Sequence, residues 1–225
     1  MKIGIIVAMK KELALLTPLL DNHELKTIDG QTFSLGMMGK HDVVAMQCGI
    51  GKVNAAIGAL TLINHFRPEL IINTGVAGGA NANVNVMDLV VGVQVTYHDV
   101  WCGPESTWGA VQGLPLYYEG DQRLIKMLPQ RPDIKQGLIA SGDQFIDRIE
   151  KINEIQSKFP QVLAVDMESG AIAQTCELRH TPFLSMRVIS DSPGASHNNT
   201  QQYNNFWEEA PEHTFALLHQ LITSL

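Results

Sequence analysis

The sequence predicts an α/β fold, a single domain of three α/β/α layers around a central mixed sheet. Three observations carry that reading. Continuous apolar runs at residues 2–8, 70–75 and 183–189 have the character of strands covered on both faces. Stretches with apolar residues at helical spacing alternate with them. Residues 24–48 instead suggest short antiparallel strands separated by turns, which makes the sheet mixed. No repeat, low-complexity tract or linker interrupts residues 1–225, so one domain is expected over that span.

Composition excludes several function classes. The formal net charge is −7 and no basic run occurs, which argues against a nucleic-acid partner. No apolar run approaches membrane-spanning length, and the opening run soon meets Lys10, Lys11 and Glu12, unlike a secretory leader. Cys48, Cys102 and Cys176 are odd in number and widely spaced, which fits reduced thiols in the cytoplasm. Charged residues are 17% of the chain, a share that leaves room for a buried oligomer interface.

In order, Lys2–Ala8 reads as a buried strand and Met9–Leu20 as a helix with Glu12 in its first turn. Glu12 is either a solvated acid beside two lysines or a carboxylate facing a site at the strand's exit. Turns fall at Asp29-Gly30 and Lys40-His41, and Asp42–Gln47 is apolar enough for a central strand. Gly49-Ile50-Gly51-Lys52 then opens a helix. It is not a phosphate-binding P-loop, because Met46 stands where the first glycine must be. Its glycines serve either close packing or ligand approach.

Leu70–Gly75 is a further strand that runs into Val76-Ala77-Gly78-Gly79, where small residues let backbone approach a ligand. A strand at Asp88–Val95 leads to a long connection, 97–120, of the kind that often carries function. His98, Asp99 and Cys102 lie in it without the further ligands a metal site needs, so no metal and no cofactor is expected. A helix at 121–128, a strand at 137–141 and a surface helix at 147–158 follow, with Phe145 available to fill core or to stack on a planar base.

Residues 164–173, AVDMESGAIA, place Asp166 and Glu168 at a strand-to-helix transition. Buried acids there must be paired or bind something. A carboxylate can accept from two neighbouring hydroxyls, as in a ribose diol, and a helix N-terminus alone also favours acids. In the last strand, Phe183–Asp191, Arg187 interrupts an apolar run and needs a partner, with Glu12 and Glu168 as candidates. A loop follows at Ser192-Pro193-Gly194, and from Tyr203 the chain is mostly helical, with a kink or restart at Pro211.

With these motifs in hand, the chain resembles the 5′-methylthioadenosine/S-adenosylhomocysteine nucleosidases of the purine nucleoside phosphorylase superfamily. The likeness runs nearly end to end: KIGIIVAMKKE at the start, GIGKVNAA at 49–56, INTGVAGG at 72–79, TYHD at 96–99, SGDQFI at 141–146, AVDMESGAIA at 164–173 and RVISD at 187–191. It implies a nucleoside phosphorylase-like fold, a small-molecule nucleoside substrate and a homodimer. Glu12 would activate a water, and Asp191 would protonate N7 of the leaving adenine, which asks its surroundings to raise its pKa. Arg187 and Ser190 would hold these acids and the water. Glu168 would bind the ribose hydroxyls with Met167 against the sugar, Phe145 would stack on the base and the backbone at Ile146 would read its edge. Met9, Ile50, Val76, Ala77 and Gly78 would complete the pocket, with Tyr203 covering it. Val76 stands where many members have a hydroxyl, Asp166 replaces a more usual Glu, and the 100–118 loop departs from the commoner pattern. Three other readings compete with such a hydrolase. They are a purine nucleoside phosphorylase, a hydrolase of another 5′-modified nucleoside such as a futalosine-like one, and a nucleoside sensor without catalysis. The phosphorylase wants an arginine-rich phosphate site near the start, whereas the first arginine is Arg67; a sensor would need no matched acid and base.

Overall fold

The computed structural model describes residues 1–192, 199–209 and 215–225. The opening run forms β1 (Lys2–Val7), and its alternation sets up the layers. Ile3, Ile5 and Val7 join one core with Leu16 and Leu20, while Ile6 joins a second with Ala55, Ala59 and Leu62. Helix α1 (Lys10–Leu16) is shorter than expected, because Pro18 cannot continue the ladder and Thr17–Leu19 tighten into a 3₁₀ turn.

Strands β2 (Asp21–Ile28), β3 (Gln31–Met38) and β4 (His41–Gln47) form the antiparallel meander, reversing at Asp29-Gly30 and at Gly39-Lys40. β4 then lies parallel to β1, with Ile3 opposite Val43 and Ile5 opposite Ala45. It is internal, yet off the middle of the sheet, since β3 and β2 lie outside it. Helix α2 (Lys52–Phe66) packs closely over β1. A Cβ on Gly4 would stand 2.6 Å from Ile71 Cδ1 and 2.7 Å from Leu62 Cδ2, so that strand position admits only glycine without repacking.

β5 (Leu70–Gly79) continues through Val76–Gly79, which the sequence suggested would leave the strand. Those residues stay extended because β10 (Phe183–Asp191) pairs with them, Val188 opposite Val76 and Ile189 opposite Ala77. Between these strands come β6 (Leu89–Tyr97), the short β7 (Tyr118–Glu119), α3 (Gln122–Met127), β8 (Ile134–Ser141), α4 (Ile149–Lys158), β9 (Val162–Asp166) and α5 (Ser169–Leu178). Helices α6 (Asn199–Glu209) and α7 (Ala216–Ser224) follow β10. Pro193, Gly194 and Pro211, on which a loop and a kink were expected, lie outside the described residues.

The strand order is β10-β6-β8-β9-β5-β1-β4-β3-β2, and β10 also pairs with β5. Five strands therefore close into a ring, from which β1, β4, β3 and β2 extend as an open wing. The closing contact is short, Gly78 and Gly79 opposite Val165 and Ala164. Glycines suit such a corner. Residues of α1, α3, α6 and α7 pack on one core and those of α2 and α5 on the other, which gives the three expected layers; α4 covers a smaller third cluster with Leu138, Ala140 and Val162. The last residues of β5, β9 and β10 and the residues that follow β1, β8 and β9 meet at one cleft.

Candidate active site

The cleft begins where β1 hands over to α1. Glu12, at the third helical position, turns back so that its Oε2 accepts from the N–H of Met9 at 2.8 Å and of Ala8 at 3.0 Å. Its Oε1 accepts from the N–H of Val76 on β5 at 3.1 Å. Glu12 is buried at 1% exposure, so the solvated reading fails. Burial pushes its carboxyl up from the ordinary value, opposed by Arg187 and by the three N–H groups. The result is a fixed carboxylate poised to take a proton more readily than a surface acid.

Arg187, central on β10, is fully buried. Its main partner is neither sequence candidate. Nη2 lies 2.8 Å from Asp166 Oδ2 and 3.6 Å from Glu168 Oε2, while Glu12 acts on it through space. Asn73 Oδ1 accepts from Nη2 at 2.6 Å, and the Ser169 hydroxyl, which donates to Asp166, accepts from the same nitrogen at 3.2 Å. Asn73 also donates to the Ile6 carbonyl at 3.0 Å. A buried charge surrounded in this way has the partners that make burial tolerable. Of the acidic pair, Asp166 is thus turned to structure.

Glu168 is turned to the cleft as the residue capping α5, and its Oε1 accepts from Gly51 N–H at 3.0 Å. Burial raises its carboxyl to about 7, with Arg187 opposing and Asp166 reinforcing. Met167 lies beside it in the wall.

The cleft has a volume of about 610 Å³, mouth included. Met9, Ile50, Val76, Ala77, Gly78, Phe145, Ile146 and Tyr203 form its mostly apolar wall, and Glu12, Met167, Glu168, Arg187 and Ser190 line it too. Phe145 is 53% exposed at this cleft with its ring centroid 6.1 Å from that of Tyr203, so it does not fill core. Ile146, in contrast, is buried and also packs into the third core cluster. The Tyr203 hydroxyl reaches Met9 Sδ at 3.2 Å, joining α6 to the end of β1.

Asp191 is placed differently. It is 2% exposed, Ser190 Oγ lies 2.6 Å from its Oδ1, and it is not one of the described residues that line the cleft. Reasoning from sequence missed Gln144 as lining, and Asn73 and Ser169 as partners of Arg187. Asn73 had a visible signal, an amide in the middle of an apolar strand; Ser169 had none, being ordinary at a helix start. Among the described residues no cluster of His, Cys, Asp or Glu could hold a metal, and no helix is long and apolar enough to cross a membrane.

The chain is similar to known proteins over nearly all of its length. Residues 2–223 match the family model of the phosphorylase superfamily. A 5′-methylthioadenosine/S-adenosylhomocysteine nucleosidase of Geobacillus sp. (strain WCH70) is 37% identical, with 100% of this chain and 99% of the relative covered. The nucleosidase of the same description from S. pneumoniae, solved with the transition-state inhibitor MT-ImmA, superposes with a TM-score of 0.93 at 37% identity and covers 99% of both chains. The S-adenosylhomocysteine nucleosidase of Streptococcus pyogenes, solved with 5-methylthiotubericidin, gives 0.94 at 35%, covering 100% of this chain and 97% of the other. The chain therefore belongs to the phosphorylase superfamily and, within it, to the 5′-methylthioadenosine/S-adenosylhomocysteine nucleosidases.

Proposed function

We propose that this protein hydrolyses the N-glycosidic bond of 5′-methylthioadenosine and S-adenosylhomocysteine, releasing adenine and the thioribose. The observation that carries the reading is the pair of buried carboxylates, Glu12 and Glu168, on one apolar cleft. As C1′–N9 breaks, its electrons pass to the base and positive charge grows on the ribose. Asp191, which stands next to the lining residue Ser190 and accepts from its hydroxyl at 2.6 Å, gives a proton to N7 of the leaving adenine. A water adds to C1′ and yields its proton to Glu12, whose raised pKa suits it to that role. Glu168 accepts from the ribose hydroxyls, and its negative charge favours the oxocarbenium-like state. Arg187 and Ser190 hold the acids, and Phe145 stacks on the base.

Arg187 is the only cation among the described residues that line the cleft, and Asp166 and Glu168 engage it. That supports water over phosphate as the nucleophile, because phosphate needs uncommitted cationic donors. We also infer a homodimer. Val53, Ile57 and Leu60 stand exposed along one face of α2, with Ile50 just before it, and Trp101 and Phe145 are exposed as well. Such an apolar stripe marks an interaction surface. Unpaired Cys48, Cys102 and Cys176 fit the cytoplasm.

The test is adenine release from methylthioadenosine with and without phosphate, with chromatography of the sugar. Free methylthioribose without phosphate is expected, and Glu12→Gln and Asp191→Asn should each lower kcat by about 10² or more. Strict dependence on phosphate with a sugar 1-phosphate product would overturn the hydrolase reading. Cleavage only of nucleosides with other 5′ groups would overturn the substrate.

A further inference from the structure

Helix α2 begins without a cap of its own. Its N-cap residue, Gly51, has φ +92° and no side chain to offer. Carboxylates from two other loops meet its first amides instead: Gly51 N–H donates to Glu168 Oε1 at 3.0 Å and Lys52 N–H to Asp143 Oδ1 at 2.7 Å. A helix start favours anions, and here two consecutive N–H groups hold two of them. A Cβ on Gly51 would stand 3.0 Å from Asp143 Oδ1, so the approach of that carboxylate depends on the glycine.

A second link closes the arrangement. Lys52 Nζ donates to Asp99 Oδ1 and Oδ2 at 3.0 and 2.9 Å, and Asp99 Oδ2 accepts from Asp143 N–H at 2.9 Å. Lys52 thus holds Asp143 twice, at its side chain through the helix amide and at its backbone through Asp99. The Lys52 and Asp99 side chains are 26% and 13% exposed, so the pair is partly shielded from water. None of Lys52, Asp99 and Asp143 lines the cleft, but the residues after Asp143 do: Gln144, Phe145 and Ile146.

We propose that Asp143, held by Lys52 and Asp99, is a positioning residue that fixes the base-side loop relative to the sugar-side carboxylate Glu168. The inference rests on the reading given above of which part of the nucleoside each side of the cleft takes. Base and sugar are joined by the bond to be cut, so both sides of the cleft must be in place together for the nucleoside to be held. Releasing the loop removes binding shared by ground and transition states, which raises KM more than it lowers kcat.

The experiment measures kcat and KM for methylthioadenosine, and adenine affinity by calorimetry, in the wild type, Asp143→Ala and Asp143→Asn. Alanine should raise KM and the adenine Kd about tenfold or more while kcat changes less than about threefold, and asparagine, which keeps an oxygen for Lys52 N–H, should recover most of both. Alanine at wild-type KM, a loss confined to kcat, or asparagine as impaired as alanine would overturn the proposal. If Asp143→Ala does not fold, Asp99→Asn reads the same link, since it removes the charge pair with Lys52 and leaves Asp143 on the helix. A KM rise of about threefold then supports the clamp, and an unchanged KM overturns it. A wild type that neither cleaves methylthioadenosine nor binds adenine refutes the functional reading and the clamp with it. A wild type that does both, with indifferent variants, refutes the clamp alone.

Discussion

Glu168 carries a pH signature that can be read without substrate. Burial lifts its carboxyl from 4.5 to about 7, so the folded protein holds that proton to a higher pH than the unfolded chain does. Its contribution to stability is complete below the unfolded value and is lost as pH rises through the folded one, because the unfolded chain releases the proton first. Glu168→Gln is neutral throughout and keeps an acceptor for Gly51 N–H. Melting curves should show the variant gaining on the wild type between about pH 5 and about pH 8, and a difference that stays constant would remove the raised pKa from the account. At this scale the sequence was informative about kind and less so about partner. Glu12, Glu168 and Arg187 stood out as charges in apolar surroundings. That Arg187 would meet Asp166 first depended on which side chains the neighbouring strands and the start of α5 present to it.

Among the elements, β5 shows what a single position must allow. Gly75 has φ +141°, and a Cβ there would lie 2.4 Å from Glu12 Oε1 and 2.9 Å from Arg187 Nη1. Gly75→Ala would therefore push on Glu12, the proposed general base, and on the arginine beside it. Steady-state assays should find kcat/KM lower by about 10²-fold, the scale of a lost or displaced acid–base group. Near-normal turnover would mean that Glu12 does not act from its present position. The stretch VAGG at 76–79 was legible as a place of close backbone approach, though not as strand. Its small residues weaken the local strand signal, and pairing with β10 restores it.

For the whole molecule, the apolar face of α2 has no counterpart among the described residues, since Ala55, Ala59 and Leu62 supply the buried face while Val53, Ile57 and Leu60 stay exposed. Val53, 70% exposed, is the residue to change. If the proposed dimer forms through this face, Val53→Glu should fold as the wild type does but sediment as a monomer at concentrations where the wild type sediments as a dimer, because a charge in the centre of an apolar interface would be left desolvated and unpaired. A wild type that is monomeric while active would discard the interface. The stacked Trp101 and Trp108, with ring centroids 6.2 Å apart, belong to the connection between β6 and β7, which the sequence marked only as a long connection over 97–120.

The sequence alone determined where most strands and helices begin, which polar residues interrupt apolar runs, and hence which side chains had to be paired or put to use. Those properties are local, since periodicity and composition act over a few residues. Tertiary structure decided the rest: the closure of five strands into a ring, Asp166 as the main partner of Arg187, and Asp143 as the cap of a helix that begins 91 residues earlier in the chain. Each of these is a contact between segments far apart in the chain. Such contacts form only when the strands have found their order, and no local pattern of residues specifies that order.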